Sequence, residues 1–427
     1  MAQARLCIYT ALLAVISFSW ALPASNRTLQ VQYTGHRLVS VTPTTPAHVS
    51  LLSALEERLQ ADVWQEANDL RPSELLRLRP EVADEFIAVA TQSGMPVTTV
   101  SSNVQDLIDN ERKEMRFTTY STENSRFQKY LKYEEFKSAL KEYAEKYDHV
   151  TFTSIGRSYE GRDLIGVHIK AKDNLPIVFF ECGIHAREWI APAICLYFID
   201  QLATQYEKDE EIKGLVSKYE WRIFPLVNPD GYEYSHNAER LWRKTRSKSS
   251  VSSECRGTDG NRNFDIGEFC KHKSSNDPCS DMYCGDSPFS EPEVRAIRDA
   301  LEDIKGRAEF YFAMHSYGLL WMFPYAQTKT PSPDHDLLMN ISQRATEAIK
   351  SVRHTHYDFG PISTTVYQSS GHSVDWAYDR AGIKKAFILE LEPHMQTFDW
   401  KLAFALRPQE ILGAAKETWE GIKAAVA

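Results

Sequence analysis

Two rhythms of apolar and polar residues divide the chain. From about Leu22 to Asn110, short alternating stretches (Leu29–Tyr33, Arg37–Val41, Pro96–Val100) are interleaved with segments of helical apolar spacing (His48–Leu59, Glu81–Ser93). The first rhythm fits half-buried strands and the second amphipathic helices, so a small α+β unit is expected over 22–103. In Val104–Arg116, Val104, Leu107 and Ile108 keep helical spacing while Arg112, Lys113 and Arg116 collect at the end. The polar run Thr118–Ser125 has no core pattern, and 104–126 is expected to be a connecting helix with a protease-sensitive linker. Over 127–427 the pattern changes to apolar runs (Ile177–Cys182, Trp221–Val227, Glu309–Met314, Ala386–Leu391) alternating with helical segments (Tyr133–Tyr147, Ala193–Leu202, Pro292–Leu301, Leu337–Arg353). Strands that read as apolar on both faces need a layer on each side. The expectation is a three-layer α/β/α domain around a mixed, mostly enclosed sheet.

The N-terminus follows neither rhythm. Arg5 precedes an apolar run from Leu6 to Trp20, and Ser19 and Ala21 lie where a signal peptidase reads, so 1–21 reads as a secretory signal peptide. Thr10, Ser17 and Ser19 interrupt that run, which falls short of the roughly 20 apolar residues of a membrane span. No membrane association is expected. A length of 427 residues supports two folded units, and a net charge of −9 with scattered basic residues argues against a nucleic-acid partner. Of seven cysteines, Cys7 lies in the signal. Cys182 and Cys195 sit in apolar runs and read as buried thiols, while Cys255, Cys270, Cys279 and Cys284 share a loop-like stretch suited to two local disulfides of open pairing. Asn26 and Asn340 head glycosylation sequons.

The chemistry concentrates where apolar runs end. His185 and Glu188 follow Ile177–Cys182, and Pro192 keeps the next helix from starting much before Glu188. Three residues apart in such a turn, an imidazole and a carboxylate can converge on one metal ion, although this spacing also arises by chance. A catalytic zinc needs a third donor, and His315 directly follows Phe310–Met314, at the carboxyl end of a strand, where ligands of open α/β sheets collect. Glu390 closes another apolar run, and an acid there is costly to bury unless it works as a base.

Seven segments in one order carry a family resemblance: Gly183–Ile190, Asn228–Tyr232, Arg240–Arg246, Asp259–Asn263, His315–Tyr317, Val366–Gly371 and Phe387–Leu391. Together they resemble the pancreatic-type zinc carboxypeptidases from about Phe127 to the end. The N-terminal unit resembles that family's propeptide, a small ferredoxin-like α+β domain joined by a helix that is cut on activation. The resemblance implies one Zn²⁺ held by His185, Glu188 and His315, with Glu390 as the catalytic carboxylate and Arg243 stabilising the oxyanion. It implies that Arg262 and Asn261 bind the substrate's terminal carboxylate, that Tyr367 closes over it, and that Arg187 and Tyr317 line the substrate cleft. The family's loop disulfide matches Cys255 with Cys279, which leaves Cys270 and Cys284 as a candidate second pair.

Specificity is expected in the pocket for the last side chain. Val374 matches the position where basic-residue enzymes carry an acid, and Met322, Ile362 and Ile388 match other wall positions, which implies release of aromatic or aliphatic residues. Ser369 and His372 depart from the family's small apolar lining, and the neighbouring Asp375 is expected to point elsewhere. The expected protein is a secreted monomeric zymogen, inhibited by its own propeptide and activated by a trypsin-like protease after Arg116 or, second, after Arg126. Its substrates are expected to be peptide and protein C-termini. A different terminal specificity and a non-catalytic binding protein are the alternatives; retention of Glu390, His315 and Arg262 argues against the latter.

Overall fold

In a computed structural model, the described residues are 30–68, 71–117, 125–393 and 403–427. The expected signal, the sequon at Asn26 and nearly all of the polar linker lie outside them. The N-terminal unit runs β1 (Arg37–Val41), α1 (Pro46–Leu59), β2 (Asp62–Gln65), β3 (Glu74–Leu78), α2 (Pro80–Gln92) and β4 (Val97–Ser101). Its sheet has the order β2-β3-β1-β4, and every pair is antiparallel. Thr45 caps α1 by accepting the His48 amide, and prolines open both helices, where a missing N–H costs nothing. Leu52, Leu55 and Phe86 from the helices meet Val39, Val41, Leu76 and Leu78 from the sheet in one small core. The expected strand at Leu29–Tyr33 is not formed among its described residues. There the Val31 amide donates to the Ala238 carbonyl (2.8 Å) and the Tyr33 amide to the Gln105 side chain (2.7 Å), so these donors face other elements and not a sheet edge.

The connecting helix α3 (Val104–Phe117) leads to the larger unit. Its elements are α4 (Tyr133–Lys146), β5 (Val150–Arg157), β6 (Asp163–Ile169), β7 (Ile177–Cys182), α5 (Ile190–Thr204), α6 (Glu210–Lys218), β8 (Glu220–Phe224), α7 (Pro229–Asn237) and α8 (Pro292–Asp303). They continue with β9 (Ala308–Ser316), β10 (Leu320–Phe323), α9 (His335–Arg353), β11 (Asp358–Pro361), α10 (Ile362–Thr365), α11 (Ser373–Asp379), β12 (Lys385–Leu391) and α12 (Ile411–Val426). The eight strands form one open sheet of order β11-β10-β12-β9-β7-β8-β6-β5. The central pairs β12·β9, β9·β7 and β7·β8 are parallel, and β10·β12, β8·β6 and β6·β5 are antiparallel. Every residue of β7 is buried. Because neighbouring side chains of a strand point to opposite faces, this requires a helical layer on each.

Three disulfides hold this unit: Cys182–Cys195, Cys255–Cys279 and Cys270–Cys284. The first corrects the reading of Cys182 and Cys195 as thiols. Cys182 ends β7 and Cys195 lies on the helix that turns back over it, which brings their Cα atoms to 6.7 Å, within bridging reach. No helix of the described residues is long and apolar enough to cross a membrane.

Candidate active site

The metal-ligand candidates meet because two neighbouring strands end together. After β7 the chain turns at Gly183, whose φ of +70° and close packing exclude a side chain: an added Cβ would sit 2.9 Å from Pro192 Cγ. That turn carries His185 and Glu188 into the opening ahead of α5. His315 closes the adjacent β9, and the parallel register of β12 against β9 sets Glu390 beside it.

The ligating atoms of His185, Glu188 and His315 lie within 4.8 Å of one another, and all three residues are buried. The two imidazole Nδ1 atoms are 3.1 Å apart, and the Glu188 oxygens stand 2.8 Å from that of His185 and 3.2 Å from that of His315. On its far side the His185 ring places Nε2 3.0 Å from Asp259 Oδ1, which fixes Nε2–H as the donor and leaves Nδ1 a lone pair. Lone pairs and a carboxylate aimed at one another make sense around a cation. Two imidazoles, one carboxylate and room for water form the donor set of a catalytic zinc, and these residues fit it. Burial alone would raise Glu188, but His185 and His315 hold it below the usual carboxylate range. Burial pushes Glu390 up to about 8, with Glu188 adding to the rise and His315 and Arg243 opposing it. Despite its burial, Arg243 is kept firmly charged by Asp259, to which its Nε and Nη2 donate at 3.1 and 2.8 Å.

The centre opens into a cleft of about 1230 Å³ that is also lined by Arg187, Arg243, Asn261, Arg262, Tyr317, Tyr367, His372 and Glu390. Arg262 is heavily tied: its Nε donates to the Lys273 carbonyl (2.9 Å), Nη1 to the Asn261 carbonyl (2.9 Å) and to His372 Nε2 (3.0 Å), and Nη2 to the Tyr367 hydroxyl (3.3 Å). Asn261 accepts the Ser373 amide (2.9 Å), and Gly371 packs so closely on the Arg262 backbone that no Cβ would fit. Met322, Ile362 and Ile388 line the same cleft; Val374 and Ser369 are fully buried and do not reach it. Asp375 is turned away, accepting the Ala326 and Gln327 amides at 2.9–3.0 Å, and burial pushes its carboxyl up to about 7. Burial, with Arg262 alongside, keeps His372 uncharged, well below the ordinary imidazole range.

The N-terminal unit closes this cleft. Arg71 Nη2 donates to the Gly318 carbonyl, and its charge acts on Glu390. Arg187 lies 3.5 Å from Asp62, Lys273 lies 2.6 Å from Glu66, and Arg240 grips Glu111 of α3 with two bonds of 2.7 and 2.8 Å. Trp64 packs edge-on against Phe404, with ring centroids 5.2 Å apart. Apart from Arg187, these partners, and Asp259 as well, carry no expectation from the sequence. Asp259 opens one of the seven resembling segments and could have been found there; the cross-unit contacts join residues 125 or more positions apart, Arg71 and Gly318 being separated by 247, and carry no local signal.

A family model described as zinc carboxypeptidase matches residues 136–421, and one described as carboxypeptidase activation peptide matches 39–111. The chain is 35% identical to "Carboxypeptidase A2" of Rattus norvegicus over 92% of its own length and 94% of that protein. It is 32% identical to "Carboxypeptidase B" of Bos taurus over 88% of its own length and 89% of that protein. The crystal structure of "Carboxypeptidase A from Helicoverpa Armigera" superposes with a TM-score of 0.85 at 29% identity, covering 92% of this chain and 97% of the other.

Proposed function

Because the chain belongs to the zinc carboxypeptidase family, as a metallo-exopeptidase carrying its own activation peptide, we propose that it releases single residues with aromatic or aliphatic side chains from peptide C-termini. His185, Glu188 and His315 hold the metal. Bound there, zinc supplies Lewis acidity that makes water a nucleophile near neutral pH. Glu390 takes the proton of the attacking water and returns it to the departing amine, a task suited to a carboxyl whose affinity for protons is raised by burial. Arg243, fixed by Asp259, faces the charge that grows on the carbonyl oxygen. Arg262, with Asn261 and Tyr367, binds the terminal carboxylate, and Arg187 and Tyr317 contact the chain before it.

One observation carries the specificity. Met322, Ile362 and Ile388 share the cleft with Arg262, and Asp375, the acid beside Val374, is spent on backbone amides. No carboxylate is thereby left at that position to pair a terminal lysine or arginine. Secretion, a monomeric state and activation by a trypsin-like protease complete the proposal. Cleavage belongs in the basic end of α3 and not after Arg126, which donates to Glu142 (3.0 Å) and covers the Tyr143 ring at 5.1 Å. The test is to treat the zymogen with trypsin and offer peptides ending in Phe, Leu, Lys or Glu, with and without a zinc chelator. Release of Phe or Leu that the chelator abolishes is expected. Preferred release of Lys would overturn the pocket assignment, and activity that survives chelation would overturn the metal's role.

A further inference from the structure

Building on the apolar-terminus reading above, we infer that His372 forms the floor of the side-chain pocket and makes the enzyme favour aliphatic over aromatic C-terminal residues. His372 lines the cleft with Met322, Ile362 and Ile388, whereas Val374, two residues further on, is fully buried and does not line it. The pocket therefore ends at the imidazole.

That ring is not free to swing aside. Its Nε2 lies 2.7 Å from Ser369 Oγ and 3.0 Å from Arg262 Nη1, and the residue is only 5% exposed. Rotating it out would strip a partner from a buried hydroxyl and from a buried guanidinium at once. Its backbone is equally held, because its carbonyl accepts the Trp376 amide (3.2 Å) at the start of α11 and Gly371 before it is pressed against Arg262. Arg262 is anchored in turn by Lys273 and Asn261, so the tether has no slack. A ring held in place at the end of the pocket should admit a branched aliphatic side chain more readily than a phenyl or indole group, which reaches deeper. Truncating residue 372 to alanine returns the volume of a five-membered ring, more than the difference between leucine and phenylalanine.

The experiment uses the full zymogen activated with trypsin and measures kcat/KM for peptides differing only in a terminal Leu, Phe or Lys. The wild-type enzyme is expected to favour Leu over Phe. His372→Ala should raise the Phe/Leu ratio by about tenfold or more, the size of a pocket mismatch of a few methylene groups. Loss of the Arg262 tether alone would raise KM for every substrate alike and leave that ratio unmoved. His372→Asn, which is smaller yet keeps an acceptor for Arg262, should raise the ratio in the same direction and serves if the alanine variant does not fold. A wild-type preference for Phe, or an unchanged ratio in a folded variant with one bound zinc, would overturn the inference. Preferential release of Lys would sink the apolar reading instead, and the Phe/Leu ratio would still judge His372.

Discussion

The two sides of the cleft hold their charges in different ways. On the larger unit the charges lock one another: Asp259 orients His185 with one oxygen and clamps Arg243 with the other. On the activation peptide, Asp62 is braced by Arg77, but Glu66, Glu111 and Arg71 find their partners across the interface. Chemistry is thus assembled within one domain and masked by another. The mask's grip is graded, because Glu111 and Arg240 are wholly buried while the side chains of Lys273 and Glu66 are 37% and 15% exposed. A buried pair broken on one side leaves an uncompensated charge, whereas an exposed pair is worth little.

The largest effect tests the first side. In the trypsin-activated enzyme Glu390→Gln should lower kcat about 10²- to 10⁴-fold, the usual weight of a general base, while one equivalent of zinc stays bound. Retention of more than about a tenth of the activity would place the base elsewhere. Next comes Glu111→Gln, which strands Arg240. Loss of about 3–5 kcal/mol of grip is expected, visible in the uncleaved zymogen as basal peptidase activity raised by two orders of magnitude or more. An uncleaved variant as silent as the wild type would remove the buried pair from the mask.

In the larger unit the metal ligands were legible because His185, Glu188 and His315 lie where strands β7 and β9 end. The strand runs were legible for the same physical reason: β7, β9 and β12 are buried on both faces and read as continuous apolar stretches. The Cys182–Cys195 bridge was not, since burial in apolar runs is shared by thiols and disulfides, and only the packing of α5 over β7 distinguishes them. The mask was least legible. Asp62 and Arg187 lie 125 positions apart and Glu111 and Arg240 129, and no local periodicity encodes which distant carboxylate meets which cation.

Arg71 sharpens the contrast, because its charge, carried by the activation peptide, acts on Glu390, the proposed base. Arg71→Ala removes a charged donor from the Gly318 carbonyl and the positive charge near Glu390. A charge-assisted bond is worth about 1.5–3 kcal/mol, so basal zymogen activity should rise roughly 10- to 100-fold. Equal activity of variant and wild type before cleavage would assign the inhibition to bulk coverage alone.

The activation peptide also carries a pH slope of its own. Burial, with Glu56 and Glu66 adding and Lys273 opposing, pushes Glu74 up to about 10. A carboxyl raised this way keeps its proton in the folded state while the unfolded chain gives it up from about 4.5 onward. Stability from this group is therefore intact below that value and falls as pH rises towards 10. Between pH 5 and 8 this loss should be read as faster hydrogen exchange of β1 and β3 in the intact zymogen, and Glu74→Gln should flatten it. A slope unchanged in that variant would move its origin to another group.

Glu66→Gln should have the smallest effect and so sets the lower end of the grading. Its pair with Lys273 is partly solvated, and removing one charge should weaken the mask by under about 1 kcal/mol, less than fivefold in basal activity. Because a solvated pair is screened, even that difference should vanish between low salt and about 0.5 M salt, where the Glu111→Gln difference should persist. A Glu66→Gln effect as large as that of Glu111→Gln, or one indifferent to salt, would mean that burial does not rank these contacts. The mask would then have to be treated as one cooperative unit, with no strong and weak points to grade.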